Sequence, residues 1–244
     1  MKAGESLPDG NYLVASELRA GNSPWHGDRC YVNLLSPGVT EKFLEITLGA
    51  YQREVGKEFG KRIPGVFTDE PNIIPAGGLP WSEILIGEFQ KRWGYNLLDH
   101  LPSLRLPIGD WQKIRHNYFQ LLHEQFVAHW ARPYRDWCQT NHLAWTGHYW
   151  EHDWPHCLGV PDNMAMYAWH QWPAIDCLMN QYAEHTHAQF GNARMVKELS
   201  SVANQMGTKR TLCEVYGAGG WDLRFEDMKR IGDWLQVLGV NTLN

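Results

Sequence analysis

The 244-residue sequence has no apolar run approaching the roughly 20 residues that a membrane-spanning helix needs, so no membrane partner is expected. It has no basic run either. Lys and Arg number 22 against 27 Asp and Glu, for a net charge of −5. Nucleic acid is therefore not an expected partner, because binding phosphate requires a positive face. Behind Met1-Lys2-Ala3-Gly4-Glu5-Ser6 there is no apolar stretch, so the chain as it stands carries no signal peptide and reads as cytoplasmic. Cysteine is scarce and unpaired in pattern: Cys30, Cys138, Cys157, Cys177 and Cys213 are odd in number and include no Cys-x-x-Cys. That argues against a disulfide framework or a zinc ribbon and for buried or half-buried thiols. Internal repeats and low-complexity tracts are absent.

What is abundant is aromatic. There are 13 Trp, 10 Tyr and 12 His, many of them between Trp145 and Trp172. Tryptophan is a large flat group that either fills a core or grips a flat apolar ligand such as a sugar face. Hydrophobic residues make up 43% and charged residues 20%, as in a globular domain.

The chain alternates short apolar runs with helical periodicity. Cys30–Leu35 reads as a strand. Ser36 and Pro37 read as N-cap and first position of a helix carrying Leu44, Leu48, Tyr51, Val55 and Phe59 and closed by Gly60. Ile63–Thr68 is a second strand. From about 72 to 141 runs a long helical insertion, with a helix near Ser82–Trp93, a turn region at Pro102, Pro107 and Gly109, and a long helix from Trp111, which Pro133 should kink or follow with a new segment. Leu143–His148 is a third strand, Ala174–Cys177 a short fourth, Thr211–Val215 a fifth and Val240–Leu243 a sixth. Helices over Val196–Met206 and from an Asp222 cap to Leu238 separate the last three.

This alternation predicts an α/β fold with a parallel sheet: a partial TIM (β/α)8-type barrel of about six βα units. Residues 1–27 read as an extension or partial βα unit, and 28–244 as the barrel segment. The last strand lacks its covering helix, so the polypeptide reads as incomplete.

Active sites of parallel β/α folds lie at the carboxyl ends of the strands. Asp69 and Glu70 follow the second strand, His148, Glu151 and Asp153 the third, and Asp176 and Glu214 lie on the fourth and fifth. Buried carboxylates are costly, so several at consecutive strand ends point to use. Two opposed carboxyls are what glycosidic cleavage needs: one protonates the leaving oxygen, and the other attacks the anomeric carbon or activates water. Glu70 and Glu214, three strands apart, are the candidate pair. Asp69, His148, Trp150, Glu151, Asp176, Tyr216 and Trp221 are candidate sugar contacts. Trp81, Trp145 and Trp154 lie near the same strand ends, where stacking on sugar and core packing are equally open.

The segments Phe67-Thr68-Asp69-Glu70-Pro71, Thr146-Gly147-His148, Pro173–Asp176 and Glu214-Val215-Tyr216-Gly217 resemble the catalytic barrel of α-L-rhamnosidase-like glycoside hydrolases, family 106 and its relatives. Gly220-Trp221, Phe225–Lys229, Asp233-Trp234 and Gly239-Val240-Asn241 continue the likeness, which runs from about Tyr31 to Asn244. Tyr31–Pro37 resembles a run in which the family usually has Asp at the place of Asn33, and a His-bearing loop that commonly follows the Gly-Val-Asn strand is absent. The resemblance implies a barrel, cleavage of a terminal deoxysugar or similar glycoside, and catalysis by the glutamates that map to Glu70 and Glu214. It also implies a calcium ion near the acidic cluster. Apart from the resemblance, Glu151, His152 and Asp153 are candidate neighbours of a divalent ion, with Glu151 and Asp153 as its carboxylate ligands.

Two rival readings stand beside this one. His148-Tyr149-Trp150-Glu151-His152 spells H-x-x-E-H, a zinc motif that would need a helix presenting both histidines on one face. It follows a strand and meets Pro155, which favours a loop over a metal-dependent hydrolase. The other rival is a carbohydrate-binding barrel that no longer turns substrate over.

Overall fold

The computed structural model describes residues 12–179 and 189–244. Five parallel strands form one sheet in the order β1 (Gly65–Thr68), β2 (Ala144–Gly147), β3 (Trp172–Cys177), β4 (Leu212–Val215) and β5 (Thr242–Leu243). The α/β class and the parallel sheet match the alternation in the sequence. The sheet is open rather than a closed barrel: among the described residues β1 and β5 are its edges.

The expected first strand is not one. At Cys30–Leu35 the chain is irregular, because Asn33 makes its own turn. Its Oδ1 accepts from Leu35 N at 3.1 Å, its carbonyl accepts from Ser36 N at 3.1 Å, and its Nδ2 donates to the Trp81 carbonyl at 2.8 Å. A side chain that satisfies the backbone locally removes the need for a sheet partner.

The helix expected from Ser36 to Gly60 is two: α1 (Val39–Ile46) and α2 (Leu48–Val55), joined at Thr47 and followed by a 3₁₀ turn, Gly56–Glu58. The N-cap is Gly38 in the left-handed conformation, and Ser36 instead lies with its hydroxyl 3.4 Å from that of Ser82.

The insertion between β1 and β2 is helical as read: α3 (Ile84–Trp93), α4 (Leu101–Arg105), α5 (Trp111–Phe126) and α6 (Arg132–Thr140). Pro102 starts α4 rather than ending a turn. A π-helical turn, Val127–Ala131, joins α5 to α6, and Pro133 stands just after it at the start of α6, so the irregular turn falls where proline interrupts the helical bonding. α7 (Asn163–Tyr167) precedes β3, α8 (Ala193–Met206) precedes β4, and α9 (Phe225–Leu238) precedes β5. The cap of α9 is Arg224 with Asp227, not Asp222. Gly207, left-handed, closes α8 as read. Among the described residues no helix is long and apolar enough to cross a membrane.

One apolar core runs from α1 to α9. Trp145 of β2 is fully buried, packed against Trp130, Tyr134 and His170, with its Nε1 donating to Thr68 Oγ1 at 2.9 Å. It is thus a core residue, not a sugar platform. It anchors β2 against the insertion helices, directly beneath the strand ends that carry the acidic residues.

Candidate functional site

The register sets the site. Thr68 of β1 pairs with Gly147 of β2, so Asp69 and His148 leave the sheet side by side, and Asp176 of β3 pairs with Glu214 of β4. His148 N still bonds to the Thr68 carbonyl at 3.2 Å. Neighbouring strands lie about 4.8 Å apart, so β2 and β4 are separated by about 10 Å. The side chains of His148 and Glu214 span that gap over β3: His148 Nε2 is 3.0 Å from Glu214 Oε2 and 3.4 Å from Asp69 Oδ1. Glu70, His148 and Asp176 form a second cluster, whose nearest ligand atoms all lie within 4.8 Å of one another. Residues on four successive strand ends thus meet around one buried imidazole.

Glu70 is half-buried and has a left-handed backbone, φ 46°, a strained conformation for a residue with a Cβ. Burial raises its pKa to about 7. The charge of His148 lowers it, and the carboxylates of Asp69, Asp176 and Glu214 raise it further. Burial also raises Asp176 to about 6, against His148, while Glu214 adds to the rise. Asp176 is 2% exposed. Its Oδ2 accepts from Gln189 at 3.0 Å, and its Oδ1 has no hydrogen-bond partner among the described residues. For His148 burial lowers the pKa, but Glu151, Asp176 and Glu214 outweigh it and the net shift is upward. A protonated His148 therefore persists above the usual imidazole range.

Several sequence candidates sit elsewhere. Glu151 is fully buried, with its carboxylate bound to backbone N–H groups, so it cannot reach a sugar without giving those up. Tyr216 is packed against the core, and its hydroxyl stands next to Gly232 of α9, away from the carboxylates. Trp150 is 38% exposed with His152 beside its ring, Trp154 is exposed under the Arg194 guanidinium, and Trp221 is fully exposed. Trp81 is half-buried against the core.

The H-x-x-E-H run is no helix. His148 follows β2, a 3₁₀ turn spans Glu151–Asp153, His152 lies tilted beside Trp150, and among the described residues no converging donor set includes both histidines. Sequence reasoning missed Gln189 and Arg194. The latter donates through Nη2 to the Glu151 carbonyl at 2.5 Å. Both partnerships join residues far apart in the chain, so no local pattern announces them.

The donor sets do not fit the expected calcium. Among the described residues the converging groups are Asp69–His148–Glu214 and Glu70–His148–Asp176, and neither includes Glu151 or Asp153. Each set offers two carboxylates and one imidazole, whereas calcium takes six to eight oxygens.

The same burial predicts a pH dependence of stability. A group whose pKa is higher folded than unfolded holds its proton more tightly when folded, so its contribution is lost as pH rises. Glu70 and Glu151, both raised to about 7, and His148, raised from 6.5, all act in that direction. The melting temperature is expected to fall between about pH 6.5 and about pH 8. Below that window His123, His129 and His170, whose pKa burial lowers, act in the opposite sense and flatten the curve. A melting temperature that rises across the window in a scanning experiment would contradict the burial of these groups.

Comparison with known proteins gives three findings. The sequence model of glycoside hydrolase family 106, described as alpha-L-rhamnosidase, matches residues 22–243. A Formosa agariphila protein provisionally named a beta-glucuronidase is 24% identical over 254 residues, 96% of this chain and 20% of that protein. A solved structure, a rhamnosidase from Novosphingobium sp. PP1Y, matches with a TM-score of 0.67 at 22% identity, over 87% of this chain and 20% of that one. At this identity the last likeness concerns the fold alone. The chain spans about one-fifth of the length of both relatives.

Proposed function

Since this chain belongs to the alpha-L-rhamnosidase family of glycoside hydrolases, we propose that it cleaves a terminal glycosidic bond, with Glu70 as general acid and Glu214 as base or nucleophile. The observation that carries the reading is the environment of Glu70. Burial and three neighbouring carboxylates hold its pKa near 7, which keeps a proton available at neutral pH for the leaving oxygen.

Glu214 Oε2 lies 3.0 Å from His148 Nε2, and the ring, when protonated, donates to it and fixes the direction of that carboxylate. One group is thus poised to give a proton and the other to accept one or to attack, the division of labour that glycoside hydrolysis requires. Asp69, whose side chain is 70% exposed, is suited to accept hydrogen bonds from sugar hydroxyls, whereas Asp176 is buried and acts on the site through its charge. The exposed rings of Trp150 and Trp221 offer stacking faces.

The names of the relatives suggest a first panel: nitrophenyl α-L-rhamnoside and β-D-glucuronide, with other hexosides and deoxyhexosides beside them. Each would be run with added calcium and with a chelator, which reads the metal requirement directly. Hydrolysis of one member is the expected result. Binding of a sugar by titration calorimetry without turnover would instead make the protein a carbohydrate-binding α/β protein. Neither binding nor turnover from folded protein would overturn the proposal.

A further inference from the structure

We propose that Glu151 is the positioning residue of this site: it touches no sugar, and from beneath it fixes the placement of both His148 and Asp176. The inference rests on the glycosidase reading above and names a role for a residue which that reading leaves without one.

β2 and β3 pair only at Thr146 with Trp172 and Gly147 with Pro173. Beyond Gly147 the chain turns away from β3, while β3 runs on to Cys177 against β4. The β3 amide at Asp176 would be left in the interior without a strand acceptor, and a buried N–H is not left unpaired. Glu151 supplies the acceptor: its Oε1 takes Asp176 N at 2.6 Å, and its Oε2 takes Tyr149 N at 3.0 Å. One carboxylate thus replaces the missing ladder and ties the segment carrying His148 to the strand carrying Asp176.

The position of Glu151 is itself held. Arg194 of α8 donates through Nη2 to its carbonyl at 2.5 Å and pairs through Nη1 with Glu198 at 2.7 Å. Glu151 Oε1 also lies 3.9 Å from His148 Nδ1, on the opposite side of the ring from Glu214. The charged groups acting on His148 are therefore Asp69, Asp176 and Glu214 on the open side, the neighbouring Glu70, and Glu151 below. Of these, Glu151 makes the largest contribution to keeping the imidazole protonated.

A glutamine at 151 has the same shape but one acceptor fewer. Its amide would set a donor against one of the two backbone donors.

The test combines two readouts on the intact protein. The first needs no substrate: the histidine ring titration by NMR, with His148 assigned through its absence from His148→Gln, and hydrogen exchange at the amides of Tyr149 and Asp176. In Glu151→Gln, His148 is expected to titrate at lower pH than in the wild type, and at least one of the two amides to lose protection. Glu151→Asp, which keeps the charge, should restore part of the titration.

The second readout is kinetic, on whichever glycoside the wild type hydrolyses. Misplacement of reacting groups by about 1 Å costs on the order of 100-fold, so kcat is expected to fall by about that factor with KM nearly unchanged. An unmoved His148 titration together with full protection of both amides overturns the proposal. A moved titration in a protein that hydrolyses no glycoside keeps the positioning role and overturns the glycosidase reading instead. Should Glu151→Gln not fold, Arg194→Gln loosens the same residue through its backbone, and the same two outcomes are read there.

Discussion

Replacing Glu70 by glutamine is expected to lower kcat/KM by about 10²–10⁴-fold on a glycoside with an alkyl leaving group, and far less on one with a nitrophenyl group. The asymmetry follows from the role. An alkoxide leaves only if it is protonated as the bond breaks, so removing the acid exposes the whole barrier. A nitrophenolate is stable enough to leave unprotonated. Glu214→Gln removes the group that attacks or activates water, which every leaving group needs, so its loss of about 10²–10⁴-fold should be the same on both substrates.

The pH profile supplies a second check. Glu70 carries its proton below about 7 because burial disfavours its charge. Wild-type kcat/KM on the alkyl glycoside should therefore fall as pH rises through that value, and Glu70→Gln should lack that limb. His148 titrates in the same environment, so the apparent values belong to the coupled set. The leaving-group comparison separates the two, since losing His148 affects both substrates alike. An equal loss on both substrates in Glu70→Gln would remove Glu70 from the acid role.

The acidic strand ends were legible because they follow a simple pattern. Phe67-Thr68 running into Asp69-Glu70, Ile175 into Asp176 and Cys213 into Glu214 each break an apolar run with a carboxylate, where a buried charge needs a reason. The helices of the insertion were legible from their 3.6-residue period, with Ile114, Tyr118, Leu121 and Phe126 all buried as spaced.

What escaped is what depends on partners far along the chain. Asn33 sits in a run that alternates like a strand, yet its side chain closes a turn and holds the Trp81 carbonyl, 48 residues away. Glu151 looks like any carboxylate just past a strand, and only the amide of Asp176, 25 residues on, shows that it faces inward. Tyr216 follows Glu214 and Val215 at what would be an inward position if the strand continued. Its backbone instead turns left-handed, φ 73°, and carries the ring toward α9. For Asn33 and Glu151 a local period or motif was overridden by a backbone group that had to be satisfied.

Gly147→Ala is expected to cost on the order of 4 kcal/mol of stability, among the largest effects of any single-atom addition to this chain. For a chain of this size that is a fall in melting temperature of about 8–16 °C. Gly147 has φ 139°, a conformation that side chains rarely adopt, so the backbone alone resists the change. An added Cβ would also lie 2.1 Å from the Thr68 carbonyl oxygen and 2.8 Å from the Thr68 nitrogen. Those are backbone atoms of the paired strand and cannot swing aside. Relief must come from parting β1 from β2 at the rung that precedes Asp69, Glu70 and His148, and from disturbing the Thr68 hydroxyl that receives Trp145 Nε1. Any folded Gly147→Ala protein should therefore also be impaired in turnover, with kcat falling more than KM rises. Gly87→Ala is the control. It lies within α3 with nothing inside 4 Å of the added carbon, and alanine there should be stabilising by about 0.5–1 kcal/mol. A Gly147→Ala protein that melts with the wild type would mean that β1 and β2 do not meet as closely as this register requires. The convergence of Asp69 and Glu70 on His148 would then lose its structural basis.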